Sequence, residues 1–223
     1  MIEAKNISFA YGRDAVFCGA SFKIVPGETI ALVGANGAGK TTLLRVLAGL
    51  LMPFEGHVLA DGFDVFQSQL RYRRMLGYLP ESAPVEPGLS VKKYLRYRAL
   101  LKGEQPRRIR HRVEEAMETC GITGLADSPT ELLSAGQRKR VALADVLLLR
   151  PRVLLLDDVL AGLDAKARES LAAVLSSSIS FASAIVAGHE FEELGRFAKR
   201  FFVLKGGTLY EAADASAARK AVQ

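Results

Sequence analysis

A glycine-rich segment behind a short apolar run constrains the fold of this chain more than any other feature. Thr29 to Val33 has the length of a buried strand, and Gly34 to Thr41 follows it directly with the sequence Gly-Ala-Asn-Gly-Ala-Gly-Lys-Thr. This is the Walker A pattern, in which glycines let backbone amides wrap phosphates, a lysine meets the terminal phosphates and a hydroxyl contacts Mg²⁺. The sequence therefore predicts a nucleoside triphosphate site between a strand and a helix that begins at Lys40.

Each position of this loop has a predicted part in binding the nucleotide. Lys40 should meet the β- and γ-phosphates, and Thr41 should offer its hydroxyl to the metal. The helix that Lys40 opens should present its N-terminal amides, and the positive end of its dipole, to the same anion. The predicted nucleotide-binding residues here are Gly34, Ala35, Asn36, Gly37, Ala38, Gly39, Lys40, Thr41 and Thr42.

Length and composition narrow the remaining possibilities. The chain has 223 residues, of which 49% are hydrophobic, and this suits one compact domain with ample core material. No apolar run approaches the roughly 20 residues that span a bilayer, so a transported solute would need a path through another polypeptide. The first residues lack the regions of a signal peptide, which predicts a cytoplasmic location. Cys18 and Cys120 stand far apart in the sequence, which argues against a disulfide framework and a zinc site.

Two groups of strands are predicted. Ile2 to Ala10 and Ala20 to Val25 precede the glycine-rich loop and indicate an antiparallel layer. Met75 to Leu79, Val153 to Leu156 and Ala184 to Ala187 have the length and bounds of buried strands in a central, parallel sheet. The fold class is therefore α/β, with a doubly wound core.

Helical spacing of apolar residues dominates the middle of the chain, from Ser90 to Gly124. This stretch interrupts the strands of the central sheet, so we expect it to form an inserted unit. The predicted division is a core of about residues 1–82 and 151–223, with a helical subdomain of about 83–150.

Further motifs follow the glycine-rich loop in a fixed order. Leu133 to Gln137 reads Leu-Ser-Ala-Gly-Gln, Val153 to Asp158 ends in two aspartates, Asp164 follows Ala-Gly-Leu, and His189 follows a buried strand. In this order, they resemble the ATP-binding cassette (ABC) ATPase subunits over nearly the whole chain. The resemblance implies a RecA-like P-loop NTPase core with an N-terminal antiparallel β layer, and ATP and Mg²⁺ as ligands. Leu76 to Ser82 is most similar to the corresponding segment of bacterial ABC-2 type exporters.

The resemblance assigns roles to the residues behind the later strands. Asp157 ends an apolar strand, where its carboxylate should hold Mg²⁺ together with Thr41. Asp158 stands where the family usually has a glutamate that polarises the attacking water, and it is one methylene shorter. A misplacement of about 1 Å can cost on the order of 100-fold in rate, so slow hydrolysis stays open. His189 corresponds to the switch histidine, so Asp158 and His189 are the predicted catalytic residues.

Two more positions correspond to nucleotide or metal contacts of the family. Glu81 takes the place of the usual Q-loop glutamine, so oxygens for a metal contact remain but the amide donor is lost. Tyr11 corresponds to the aromatic residue that stacks on adenine. We therefore expect Glu81 at the metal and Tyr11 at the base.

The signature motif implies a second subunit. Ser134, Gly136 and Gln137 open a helix whose amides should bind phosphate, and in the family they close over the nucleotide of another cassette. The expected partners are therefore a homodimer or heterodimer with another ABC ATPase subunit, and transmembrane permease subunits at the cytoplasmic face of the membrane. Asp164 corresponds to the D-loop aspartate between the two sites, and it can also cap a helix.

Two other functions stay open besides an ATPase subunit that powers a transporter. One is a soluble ABC ATPase that acts on ribosomes or DNA, although the chain has neither a second cassette nor a long coiled-coil insertion. The other is a weakly hydrolysing regulatory cassette paired with an active homologue, which Asp158 and Glu81 suggest. The net charge of +6 would suit an anionic ligand, an acidic membrane surface or nucleic acid, and its sign does not choose among them. The basic stretches Arg71 to Arg74 and Arg107 to Arg112 could face lipid head groups, a membrane partner or nucleic acid, but such runs are more often solvated helix faces, so we expect no nucleic-acid partner.

Overall fold

Ten strands and eight α-helices make up the part of the chain that the computed structural model describes, residues 1–179 and 181–222. The strands are β1 (Ile2–Tyr11), β2 (Asp14–Ile24), β3 (Thr29–Val33), β4 (Glu55–Ala60), β5 (Phe63–Asp64), β6 (Leu76–Leu79), β7 (Val153–Asp157), β8 (Ser183–Ala187), β9 (Arg200–Lys205) and β10 (Thr208–Ala212). The helices are α1 (Lys40–Leu47), α2 (Gln69–Arg73), α3 (Val91–Leu101), α4 (Pro106–Thr119), α5 (Ala135–Leu147), α6 (Ala165–Ser178), α7 (Phe191–Leu194) and α8 (Ala215–Val222). Ser180 and Gln223 belong to the predicted domain ranges and lie outside the described residues.

The strands form two sheets. An antiparallel sheet has the order β2-β1-β4-β5, and a six-stranded sheet has the order β10-β9-β3-β8-β7-β6. In the second sheet every neighbouring pair from β9 to β6 is parallel, and only β10 is antiparallel to its neighbour. The predicted α/β class, with an antiparallel layer ahead of a parallel sheet, is confirmed.

The register of the parallel strands brings their carboxyl ends to one edge of the sheet. Leu79, the last residue of β6, pairs with Leu156, and Asp157, the last residue of β7, pairs with Ala187 at the end of β8. β3 lies next to β8 and ends at Val33, directly before the glycine-rich loop. Segments far apart in the sequence therefore leave the sheet side by side, which is where ligands bind in such folds.

The central sheet is buried on both faces, which explains its uninterrupted apolar strands. Ile30 and Leu32 of β3 belong to a core shared with α1 and the antiparallel sheet. Ala31 and Val33, on the other face, belong to a second core that includes α3, α4 and α5. All five residues of β3 are buried, so this strand is fixed from both sides.

Two local predictions differ from the structure. β2 begins at Asp14 rather than at Ala20, because it continues to pair along β1 as far as the contact between Tyr11 and Asp14. The stretch around α2 is not a uniformly solvated basic face, because Tyr72 is buried and its hydroxyl donates to the Leu47 carbonyl at 2.8 Å. A polar residue inside a basic run can thus belong to the core.

Two ion pairs to one buried carboxylate connect helices α3 and α5, which lie between β6 and β7 in the sequence. Asp145 of α5 is only 6% exposed, and its carboxylate lies 3.0 Å from Arg98 Nη2 and 2.8 Å from Lys102 Nζ. Burial lowers the pKa of Lys102, and the attraction of Asp145 opposes that shift. Arg98 and Lys102 come from the end of α3, so the two ion pairs fasten α3 to α5. The division of the chain into a core and a helical subdomain stays a prediction.

The helices of residues 1–179 and 181–222 include none with both the length and the apolar character needed to cross a membrane.

We expect Asp145→Asn to lower the free energy of unfolding by about 2 kcal/mol or more, because it leaves two partly buried cations without their counter-charge. The matched control is Glu114→Gln, which removes the exposed Arg110–Glu114 pair at 3.0 Å and should cost less than about 1 kcal/mol. Urea titration of both variants measures the difference. Equal effects would contradict the stabilising role given to Asp145.

Candidate nucleotide-binding and hydrolysis site

The glycine-rich loop adopts a shape that side chains at two of its positions would obstruct. Gly39 lies just before α1 with φ of 102°, a conformation that favours glycine. A Cβ atom there would come within 2.5 Å of Val16 Cγ1, and one on Gly34 would come within 2.5 Å of the Leu204 carbonyl oxygen. The loop therefore packs closely on the Val16 side chain and the Leu204 backbone, and its glycines permit that approach.

Lys40 is folded over the loop. Its side chain is buried, and Nζ donates to the carbonyl oxygens of Gly34 at 2.8 Å and Ala35 at 3.1 Å. The ammonium group is thus held at the centre of the loop where the sequence predicts phosphate. Phosphate oxygens are stronger partners for an ammonium group than neutral carbonyls, because both groups are then charged.

Asp157 offers a buried oxygen to a metal ion. The residue is 1% exposed, and its Oδ1 atom has no hydrogen-bond partner. Burial raises the pKa of Asp157, and a hydrogen bond with the Thr41 side chain opposes the rise. A buried, partnerless carboxylate oxygen beside a hydroxyl fits Mg²⁺, which prefers oxygen ligands. Bound there with the phosphates, Mg²⁺ would neutralise part of their negative charge.

Asp158 and His189 face each other at the edge of the sheet. His189 Nδ1 lies 3.4 Å from Asp158 Oδ1, and this oxygen is buried without a hydrogen-bond partner. Burial is the main cause of a raised pKa of Asp158, to which Glu190 and Glu81 add, while Lys40 and His189 oppose it. The shortened side chain therefore does reach the imidazole. A carboxylate with a raised pKa, beside a histidine, is suited to proton transfer.

Glu190 is a site residue that the sequence did not point to. Its side chain is 5% exposed, and its Oε1 lies 3.4 Å from His189 Nε2, on the other side of the imidazole from Asp158. Its Oε2 also accepts a hydrogen bond from the His189 amide at 3.2 Å. Adjacency to His189 was the only signal in the sequence, and adjacency does not reveal burial.

Glu81 and Tyr11 both lie near the site, Glu81 by its electrostatic effect on the aspartates and Tyr11 in a cavity beside the loop. Glu81 is exposed after β6, close enough to raise the pKa of Asp157 and of Asp158. Tyr11 is 49% exposed and lines a cavity of about 650 Å³ with Asn36, Gly37 and Ala38 of the loop. These positions agree with the predicted metal and adenine contacts, which stay predictions.

The signature residues lie away from the glycine-rich loop. Ser134, Gly136 and Gln137 line a separate cavity of about 550 Å³ with Asp164. Ser134 Oγ accepts from the Gln137 amide at 3.3 Å and Gln137 Oε1 accepts from the Ser134 amide at 2.9 Å, which forms a capping box at the start of α5. Asp164 caps α6 through the Ala167 amide at 2.8 Å. The signature residues and the glycine-rich loop thus line two separate cavities.

The order of the motifs and the site they form have a counterpart among known proteins. A family model described as "ABC transporter" matches residues 17–161. This chain belongs to the ABC transporter family. The predicted resemblance to ABC ATPase subunits is therefore confirmed, and ATP is the nucleotide that such cassettes bind.

Curated relatives of this cassette carry the names of import subunits. The chain is 36% identical to the iron(III) import ATP-binding protein FbpC of Photorhabdus laumondii, over 76% of this chain and 48% of that protein. It is 36% identical to the sulfate/thiosulfate import ATP-binding protein CysA of Methylococcus capsulatus, over 96% and 63%. The nickel import ATP-binding protein NikO of Rhodobacter capsulatus is 34% identical, over 96% and 89%. The chain spans about half to two-thirds of the length of the first two.

Solved cassettes share the fold. The protein cbiO1 of Clostridium perfringens, described as part of the ABC transporter complex cbiONQ, has a TM-score of 0.84 at 29% identity, over 94% of this chain and 86% of that one. A bacterial ABC transporter cassette solved as a dimer has a TM-score of 0.81 at 24% identity, over 94% and 96%. The second comparison supports the fold alone.

We expect Asp157→Asn to raise the melting temperature of the nucleotide-free protein by about 2 °C at pH 8. The raised pKa of Asp157 means that the folded state disfavours its ionised form, so stability is lost as pH rises from the ordinary aspartate range through that pKa. The gain should therefore shrink as the pH is lowered through that interval. Calorimetry at several pH values measures the difference in melting temperature between Asp157→Asn and the wild type. Asp127→Asn, at an exposed position, is the control and should leave the melting temperature unchanged at each pH.

Asp157→Asn should bind ATP less tightly than the wild type when Mg²⁺ is present. When a chelator removes Mg²⁺, the two proteins should bind ATP with equal affinity. A fluorescent nucleotide titration distinguishes the two conditions. Equal loss of affinity with and without Mg²⁺ would contradict the metal-binding role of Asp157.

Proposed function

We propose that this chain is the ATP-binding and ATP-hydrolysing subunit that powers a membrane ABC transporter. The observation that carries the proposal is the meeting of Lys40, Asp157, Asp158 and His189 at one edge of the central sheet. A phosphate-binding loop, a metal-binding carboxylate and a carboxylate–histidine pair are the parts that hydrolysis of a phosphoanhydride requires. Ser134 and Gly136 supply a further phosphate contact to a second cassette.

In the proposed reaction, water attacks the γ-phosphorus of ATP, the bond to the ADP oxygen breaks, and phosphate leaves. Asp158 accepts the proton of the attacking water through its carboxylate. His189 keeps the Asp158 carboxylate and the water in place, and Lys40 binds the transferred phosphoryl group. ATP binding closes two cassettes on each other, and loss of phosphate lets them open, which moves the transmembrane partners.

Two observations bear on the direction of transport, and they favour opposite directions. Leu76 to Ser82 resembles ABC-2 type exporters, and we propose an exporter on that ground. Import is the second candidate, because FbpC, CysA and NikO are all named import subunits. The permease subunits, which form the path of the solute, would set both direction and substrate.

Replacing Asp158 tests hydrolysis. We expect Asp158→Asn to lower kcat for ATP at least 100-fold with ATP affinity changed less than about threefold, because the amide cannot accept the proton. Asp158→Glu should stay within about tenfold of the wild type, because the aspartate already reaches His189. Steady-state phosphate release and nucleotide titration give the two numbers. A rise of more than tenfold in Asp158→Glu would instead indicate a weakened cassette that needs an active partner.

Reconstitution tests transport. The purified chain is combined in proteoliposomes with a multi-span membrane protein encoded beside it, and ATP turnover and solute movement are followed. We expect turnover to rise several-fold in the complex, and His189→Ala to abolish movement while the complex still forms. Sedimentation with ribosomes or binding to DNA, in place of assembly with the membrane protein, would favour the soluble alternative.

A further inference from the structure

Lys139 is a charged side chain for which the proposed reaction has no use. It lies on α5, the helix that Ser134 caps, and it is partly buried. Its Nζ donates to the backbone carbonyl oxygens of Asp158 at 3.1 Å and of Ala161 at 2.6 Å. One ammonium group from the helical region thus binds two acceptors of a single turn behind β7.

The turn that Lys139 holds has an unfavourable backbone conformation. Asp158 has φ of 47°, in the left-handed region, which costs an L-residue roughly 1–2 kcal/mol. The Asp158 carbonyl accepts from the Ala161 amide at 3.0 Å, which closes the turn, and the Asp158 amide donates to Ala187 at 3.1 Å. Such a conformation persists only where surrounding contacts fix it, and Lys139 supplies two of those contacts.

The orientation of the Asp158 carboxylate depends on this backbone conformation. Its Oδ1 has no hydrogen bond, and its contact with His189 Nδ1 is long at 3.4 Å, so the backbone must help to hold the carboxylate beside the imidazole. The short side chain also leaves little freedom to correct a displaced backbone. Rotation of the Asp158 peptide would therefore move the carboxylate away from the imidazole.

The charge of Lys139 also matches its surroundings. Burial lowers the pKa of Lys139, and the carboxylates of Asp158, Glu190 and Glu81 oppose that shift. The ammonium group therefore sits among three acids that would otherwise repel one another. A neutral side chain in its place would remove both the hydrogen bonds and this compensation.

We propose that Lys139 is a positioning residue for ATP hydrolysis, whose ammonium group fixes the Asp158 to Ala161 turn so that the Asp158 carboxylate stays beside His189. This inference rests on the proposed role of Asp158 in hydrolysis. Lys139 also links the two sites of one chain. In the proposed dimer, α5 presents Ser134 and Gly136 to the nucleotide of a partner, and the same helix carries Lys139, which holds the Asp158 to Ala161 turn.

The test compares Lys139→Met, which keeps the length of the side chain without its donors, with Lys139→Arg, which keeps them. We expect the methionine variant to lose about tenfold or more in kcat with KM for ATP changed less than about threefold, since a small displacement of a reacting group is costly. The arginine variant should stay within about threefold of the wild type. Lys93→Met, an exposed lysine on α3, is the matched control and should leave kcat unchanged.

A double-mutant cycle asks whether Lys139 acts through Asp158. In an Asp158→Asn background, measured by single-turnover hydrolysis, Lys139→Met should cost less than about twofold more. Full additivity would overturn the inference, as would a methionine variant with wild-type kcat, or one that changes only KM. If Asp158→Asn alone leaves kcat unchanged, the proposed hydrolytic role itself is wrong.

Hydrogen exchange at the Ala161 amide gives a readout that does not depend on turnover. This amide should exchange faster in Lys139→Met than in the wild type and in Lys93→Met, because the turn opens more often. Unchanged exchange would overturn the inference. If the methionine variant does not fold, Lys139→Gln, which keeps a shorter donor, takes its place in both measurements.

Discussion

The parallel hydrogen bonding of β3, β6, β7 and β8 is the constraint on which the rest of this cassette depends. Strands that run in one direction end at one edge, and the pairing of Asp157 with Ala187 aligns two of those ends to the residue. The phosphate-binding loop, the aspartates and the histidine then need no long-range adjustment to meet. Burial on both faces of the sheet holds that edge rigid, so small displacements of the catalytic groups meet resistance from the whole core.

Crowded negative charge is the second property of this edge. Asp157, Asp158 and Glu190 lie within a small, poorly hydrated region. The ammonium groups of Lys40 and Lys139 offset part of their negative charge. Such an arrangement costs stability in the free cassette, a common feature of active sites. A magnesium ion arriving with ATP fits this imbalance, because it adds positive charge where the buried acids lack partners.

Local patterns in the sequence were enough to predict the glycine-rich loop, the helix that Lys40 opens, and the strands that end at Asp157 and before His189. They could not show that Asp158 is left-handed, since a backbone angle leaves no periodic trace. Nor could they place Glu190 or Lys139 at the site, because burial and contacts with a distant turn arise from the tertiary fold. Asp145 stands inside an apolar stretch of the sequence, and its partners Arg98 and Lys102 come from the end of another helix, α3.

The ion pair at Asp145 also has a mechanical consequence. Arg98 and Lys102 fasten the end of α3 to the middle of α5, and α5 begins at the signature residues. Because separating these charges inside the protein is costly, the Asp145 contacts oppose movement of α3 relative to α5. A force applied at the end of α3 would therefore also act on α5, the helix that Ser134 caps.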